Sequence, residues 1–490
     1  MSTLEKHFEK FRKNIVGIDS TYISPYGEKK ILYADWIASG RLYKPIEDKI
    51  IKDFGPFVAN THTETSETGT RMTHSYHYAQ KIIKNHVNAG PNDVIIQAGF
   101  GMTAAVNKLQ RILGFKSCGV LKKKTCLKEM ERPVVFITHM EHHSNQTSWH
   151  ETIADVVVLE PDKDMRVNPD ELRKQLEKYK DRKIKIGSFT AASNVTGIKP
   201  PYYELAKIMH ENNGLCFIDF AAAAPYIDID MHPKDPMKKL DAILFSPHKF
   251  LGGPGTAGIM IFDSKLYNNE IPDNPGGGTV DWTNRWGEHK YIDDIEIRED
   301  GGTPGFLQAI RTALAIELKD QMGTKQMAER EKEIVPYAIK GLKKIEGIKI
   351  LADNIPERIG SISFYHEKIH FNFIVKLLSD RFGIQVRGGC ACAGTYGHYM
   401  LHVTKENSHD IAKLINSGDL SKKPGWVRWS VHPTTRDTEV DYFVKAVSEI
   451  VNNYDEWIKD YNYNKTNNEF FHKSFDIKKY FDIKSNFSLD

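Results

Sequence analysis

The sequence predicts an α/β protein: a mostly parallel central sheet in a large domain, followed by a smaller α+β domain. Three observations predict it. Between residues 90 and 265, short apolar runs (DVIIQA, PVVFITH, ADVVVLE, IKIGSFT, LCFID, AILFS and GIMIF) alternate with helix-like stretches, as buried strands joined by crossover helices do. Most of these runs are followed at once by polar, glycine or histidine residues, the positions where open α/β sheets hold their ligands. Beyond residue 306 the order changes: a helical pattern, LQAIRTALAIELKDQMG, is followed by separate strands near GSISFYH and WVRWSVH and a helix around DYFVKAVSEIVNNY.

Taken in order, residues 1–30 form an N-terminal segment expected to pack on the small domain. Its LEKHFEKFRKNI stretch sets Leu4, Phe8, Phe11 and Ile15 on one helical face. Residues 31–305 make the large domain, ending in long loops at 273–306 (DNPGGGTVDW and EDGGTPGF). Residues 306–460 make the small domain, and 461–490 an Asn/Lys-rich tail that is either docked by its aromatics or partly disordered.

Composition narrows the function classes. The 67 basic and 64 acidic residues leave a net charge of +3, which gives no electrostatic case for nucleic acid. No apolar run approaches the roughly 18 residues of a membrane span, and no apolar signal core precedes the first helix. A cytoplasmic protein is expected. Cys118, Cys126, Cys216, Cys390 and Cys392 are too scattered for a disulfide framework and fit a reducing compartment.

Chemistry concentrates in FSPHKFLGGPGTAGIMIF. Lys249 lies between an apolar strand and a glycine-rich turn, with Ser246 and His248 before it. An amine that forms a Schiff base must lose its proton, which burial favours, and the hydroxyl and imidazole beside it suit a phosphate. An isolated strand-end lysine would reach solvent instead. Asp219 ends GLCFID; it either caps a helix or pairs with a protonated pyridine nitrogen. QAGFGMTAAVN turns into a helix at Gly99, Gly101 and Thr103, offering amides to a phosphate. HMEHHSNQTSW supplies His142 and His143, either of which could stack a flat ring on a cofactor. SFTAASNVTG supplies Asn194 and Thr196, suited to a phenolic oxygen or to a plain turn. No metal site is expected, because no convincing ligand set appears.

In this order, at successive strand ends, these motifs resemble the class V aminotransferase superfamily of pyridoxal phosphate enzymes, fold type I, and within it the group II cysteine desulfurases and selenocysteine lyases. The resemblance runs from ILYADWIASGR to about residue 455. SPHKFLGGPGTAG, Asp219, EHHSN, VRGGCACAG and VRWSVHPTT carry it. It implies that Lys249 bonds the cofactor, Asp219 pairs with its ring nitrogen, His142 stacks on the ring and serves catalysis, and Asn194 contacts ring substituents. Gly101, Met102, Thr103, Ser246 and His248 would hold the phosphate. Thr279, in PGGGTV, would be lent by a partner subunit, which implies a homodimer with shared sites.

The same resemblance places Arg387, Gly389, Cys392 and Ala393 in a mobile catalytic segment, and Arg428 at the substrate carboxylate. The implied reaction moves sulfur from L-cysteine, or selenium from selenocysteine, to a persulfide on Cys392 with release of alanine; a sulfur-acceptor protein would follow. Three departures stand out: Ala222 where these enzymes usually carry glutamine, a second thiol at Cys390, and a longer loop from Gly394 to Gly425 bearing His398 and His402. They leave an aminotransferase, epimerase or other lyase as the alternative. A non-catalytic sulfur relay is opposed by the intact Lys249 and Asp219. For the two thiols, small residues in a turn or a Cys-x-Cys metal site with His398 or His402 are further readings.

Overall fold

The computed structural model describes residues 2–116 and 128–489; Cys118 and Cys126 lie outside the described residues. Seven strands build the large sheet: β1 (Asp93–Ala98), β2 (Val134–Thr138), β3 (Asp155–Leu159), β4 (Lys185–Thr190), β5 (Leu215–Asp219), β6 (Ala242–Phe245) and β7 (Gly258–Asp263), in the spatial order β1-β7-β6-β5-β4-β2-β3. The pairs from β3 through β6 are parallel. β7 runs antiparallel to both its neighbours. In the sequence GIMIF looks like the runs before it. Its direction follows from the link at 246–257, which holds one three-residue 3-10 turn, Pro247–Lys249, and no crossover helix to bring the chain back.

Period-two alternation divides each strand between two cores. On β2, Val134 and Phe136 join the cluster on one face while Val135 and Ile137 join the other. Helices cover both faces, so β2, β4 and β6 are buried along their whole length. This burial on both sides is why the runs read as continuously apolar.

A second, antiparallel sheet has β8 (Ile348–Ile350), β9 (Ser361–His366), β10 (Arg387–Gly389) and β11 (Trp426–Ser430) in the order β8-β9-β11-β10. Helices Thr324–Leu342, Phe371–Phe382 and Asp437–Trp457 pack on it, and Trp429 stacks on Phe443 with ring centroids 3.8 Å apart. The N-terminal helix Thr3–Arg12 buries Phe8 and Phe11 and is pinned by ion pairs of Arg12 with Glu439 and of Glu9 with Arg436, each at 2.6 Å. A short strand, Leu32–Tyr33, pairs in parallel with Ile384–Gln385, and Asp35 bridges to Ser430. That stitch carries residues 32–35 to the small sheet.

Two regions carry more structure than their composition suggests. Within 273–306, Val280–Thr283 and His289–Tyr291 form a hairpin. In the tail, Tyr461–Asn464 pairs with Glu469–His472, and Phe470 packs on Phe373 at 4.9 Å.

Candidate active site

One pocket gathers the candidate residues. Gly101, Met102, Thr103, His142, Asn194, Asp219, Ser246, His248, Lys249, Arg387, Cys392 and Arg428 all line it. Asp219 reaches it from the last position of β5, and Lys249, His142, Asn194 and Gly101 from just beyond β6, β2, β4 and β1, the strand ends where a parallel sheet opens. Thr279 does not line it. Its hydroxyl donates to the Gly276 carbonyl at 2.6 Å within its own loop.

At one end the chain makes an anion cradle. The helix Gly101–Ile112 begins without a cap from its own N-cap residue, Phe100, and its N-terminal end, with its dipole, lines the pocket. Ser246 Oγ accepts from Met102 N at 2.8 Å and locks the β6 turn to that helix. Gly101 sits at φ 61°, and a Cβ there would come within 2.9 Å of Ser246 Oγ; only glycine combines this backbone with this approach. Burial, then Lys249, pulls His248 down to about 4, so it meets an anion as a neutral donor.

Asp219 lies on the pocket floor, 3% exposed, its Oδ1 accepting from Ala221 N at 2.8 Å. Burial raises its carboxyl to about 6, against the pull of that amide and of Lys249. A cationic ring nitrogen set against it would offset the desolvation. Burial lowers the Lys249 ammonium to about 8, with Asp219 opposing and Arg428 adding to the fall. His142 caps the helix His143–His150; its Nδ1 accepts from Ser144 N at 3.1 Å, which leaves Nε2 to carry the ring proton. Burial and Lys249 push this imidazole to about 3. A neutral ring is suited to lie on a flat aromatic ligand. These groups fit pyridoxal phosphate: a phosphate cradle, a buried acid for its ring nitrogen, a flat neutral ring, and an amine that deprotonates near neutrality.

Opposite the sheet lie the thiols. Cys392 is exposed and Cys390 half-buried, both free. The Asn194 amide donates to the Ala391 carbonyl at 2.7 Å, which commits one of its donors to this segment. His143 grips the segment twice. Its backbone amide donates to the Cys392 carbonyl at 2.7 Å, and its Nε2 accepts from Gly394 N at 2.9 Å. Arg428, on β11, donates from Nη2 to Asp35 at 2.6 Å and from Nη1 to the Asn194 carbonyl at 3.3 Å. Its Nε has no partner among the described residues. Sequence reasoning gave no role to Asp35 and offered His143 only as a ring that could stack on a cofactor, not as a clamp on the cysteine segment. Ala222 lines the pocket and adds no polar group to it.

The family model for aminotransferase class-V matches residues 32–443. The chain belongs to this class V aminotransferase family. Relatives similar to it include a probable cysteine desulfurase of Halalkalibacterium halodurans, 26% identical over 74% of this chain and 84% of the relative. Another, from Staphylococcus aureus strain Mu50, is 25% identical over 79% and 91% respectively. Among solved structures, the apo cysteine desulfurase from Thermococcus onnurineus NA1 superposes with TM-score 0.71 at 21% identity, covering 91% of this chain and 98% of that one. The cysteine desulfurase CsdA from Escherichia coli, in its S-sulfonic acid form, gives TM-score 0.69 at 20% identity with the same coverage. These likenesses bear out fold type I and an enzyme of cysteine desulfurase-like type. No helix among the described residues is long and apolar enough to cross a membrane.

Proposed function

We propose that this class V aminotransferase is a pyridoxal phosphate-dependent cysteine desulfurase that moves sulfur from L-cysteine to Cys392 and releases alanine. One observation carries the reading: Cys392 lines the same pocket as Lys249, Asp219 and Arg428. An aminotransferase or epimerase has no need of a free thiol there.

Lys249, Asp219, His142, Asn194, Ser246, His248 and the amides at Gly101–Thr103 would hold the cofactor, which supplies an electron sink next to the substrate α-carbon. Arg428 takes the substrate carboxylate with its rigid fork. The Lys249 amine, brought down to about 8, accepts and returns a proton at the α-carbon near neutral pH. His142, kept neutral by burial, would lie on the flat ring of the cofactor and hold it against Asp219. The Cys392 thiolate attacks the substrate sulfur, the bond from that sulfur to the β-carbon breaks, and the β-carbon gains a proton to become the methyl of alanine. The sulfur stays on Cys392 as a persulfide. Because Cys392 is exposed, a sulfur-acceptor protein can reach it.

A homodimer is part of this reading. Phe100, at the head of the cradle helix, is 93% exposed beside a cavity of about 1030 Å³ that includes Lys108, Asn274 and Glu299, a surface that a second copy would cover. A reducing, cytoplasmic setting suits the free thiols. The test is substitution: Cys392→Ser should keep the cofactor's visible absorbance and lose sulfide release from cysteine. A Cys392→Ser protein that still releases sulfide at the wild-type rate removes Cys392 from its role.

A further inference from the structure

Strands β10 and β11 set Arg387 directly opposite Arg428, so two guanidinium groups stand side by side on the pocket wall. Like charges paired across a ladder repel. Asp35 resolves the conflict. Its Oδ1 accepts from Arg428 Nη2 at 2.6 Å and its Oδ2 from Arg387 Nε at 3.2 Å, so one carboxylate spans both arginines. The stitch between Leu32–Tyr33 and Ile384–Gln385, with the Asp35 to Ser430 bridge, brings it there. Asp35 itself is not part of the pocket wall.

Two arginines and one aspartate leave one net positive charge. Arg428 is 3% exposed, and its buried Nε has no partner among the described residues. One surplus charge and an unpartnered guanidinium edge at Nε match a single carboxylate. The rest of the pocket offers no second cation to spare: burial keeps His142 and His248 neutral, and Lys249, its ammonium lowered by burial, is the residue that would bond the cofactor.

We infer that Asp35 is a specificity-determining residue: by cancelling one of the two guanidinium charges it restricts the subsite to amino acids with one carboxylate and an uncharged side chain. Cysteine belongs to that class; aspartate and cysteine sulfinate, with a second negative charge, do not. The choice of cysteine rests on the desulfurase reading, while the charge argument applies to any amino acid that enters this pocket.

The test is binding to the cofactor-loaded protein, measured by titration calorimetry with L-alanine and L-aspartate as probes that carry no thiol. Wild type should bind alanine more tightly by about tenfold or more. Asp35→Asn should move that ratio about tenfold toward aspartate, which corresponds to about 1.4 kcal/mol of selectivity. Asp35→Glu, which keeps the carboxylate, should hold the wild-type preference. A folded, loaded Asp35→Asn with the wild-type ratio overturns the inference. So does a wild type that binds both probes equally, which keeps the test decisive if the asparagine variant fails to load. Selectivity without any sulfur release from cysteine would sink the desulfurase reading and leave the role of Asp35 standing.

Discussion

Lys249 can act as a nucleophile and base because the pocket strips water from its ammonium and so lowers it to about 8. The neutral amine therefore accumulates as pH rises through about 8. Pyridoxal phosphate uptake by the apoprotein should accelerate across that range and level off above it; a rate still climbing toward the roughly 10.4 of a free lysine would contradict the burial argument. Lys249→Ala should lack the visible band of the bonded cofactor. Cys390→Ser separates the two thiols: it should leave sulfur transfer to Cys392 intact, whereas loss equal to that of Cys392→Ser would mean that the pair acts as one unit. At this scale much of the site was legible, because Lys249, Asp219 and His142 each follow an apolar run and the strand-end rule finds them. The bridge made by Asp35 and the clamp made by His143 were not. Asp35 meets Arg428 across 393 residues of chain and His143 meets Gly394 across 251, and no local pattern encodes such encounters.

At the scale of elements, the cysteine segment is the part under strain. Gly389, Ala391 and Cys392 have φ of 112°, 50° and 56°, and left-handed backbone at a non-glycine residue costs about 1–3 kcal/mol each. The two bonds from His143 and the one from Asn194 hold the segment there. Removing the imidazole in His143→Ala should speed amide hydrogen exchange in residues 389–400 while the cofactor band persists; unchanged exchange would show that the clamp lies elsewhere. Burial, then Lys423, lowers the His143 pKa, so its Nε2 stays an acceptor into weakly acidic solution, and protection in the wild type should fall only at lower pH. This conformation was not readable from VRGGCACAG, where the glycines announce a turn without giving its hand. The strands were readable, except for the direction of β7, which depends on what its connecting link lacks.

Over the whole molecule, the N-terminal segment and the Asp35 stitch tie the two sheets together, so the site depends on packing far from it. Phe8 is buried between the helix Thr3–Arg12 and its neighbours, and Phe8→Ala should cost about 3–5 kcal/mol, seen as a lower denaturation midpoint. A midpoint within error of wild type would mean the N-terminal helix contributes little. The α/β class was legible from patterning because both faces of the large sheet are covered. The tail was not, since Tyr461 and Phe470 are buried by a hairpin whose first strand and turn are rich in Asn. In the proposed reaction sulfur leaves cysteine for Cys392, and peptide mass analysis after one equivalent of L-cysteine, without reductant, reads that transfer. The Cys392 peptide should gain the mass of one sulfur atom as one alanine appears per loaded site; unmodified Cys392 with no alanine formed would contradict it.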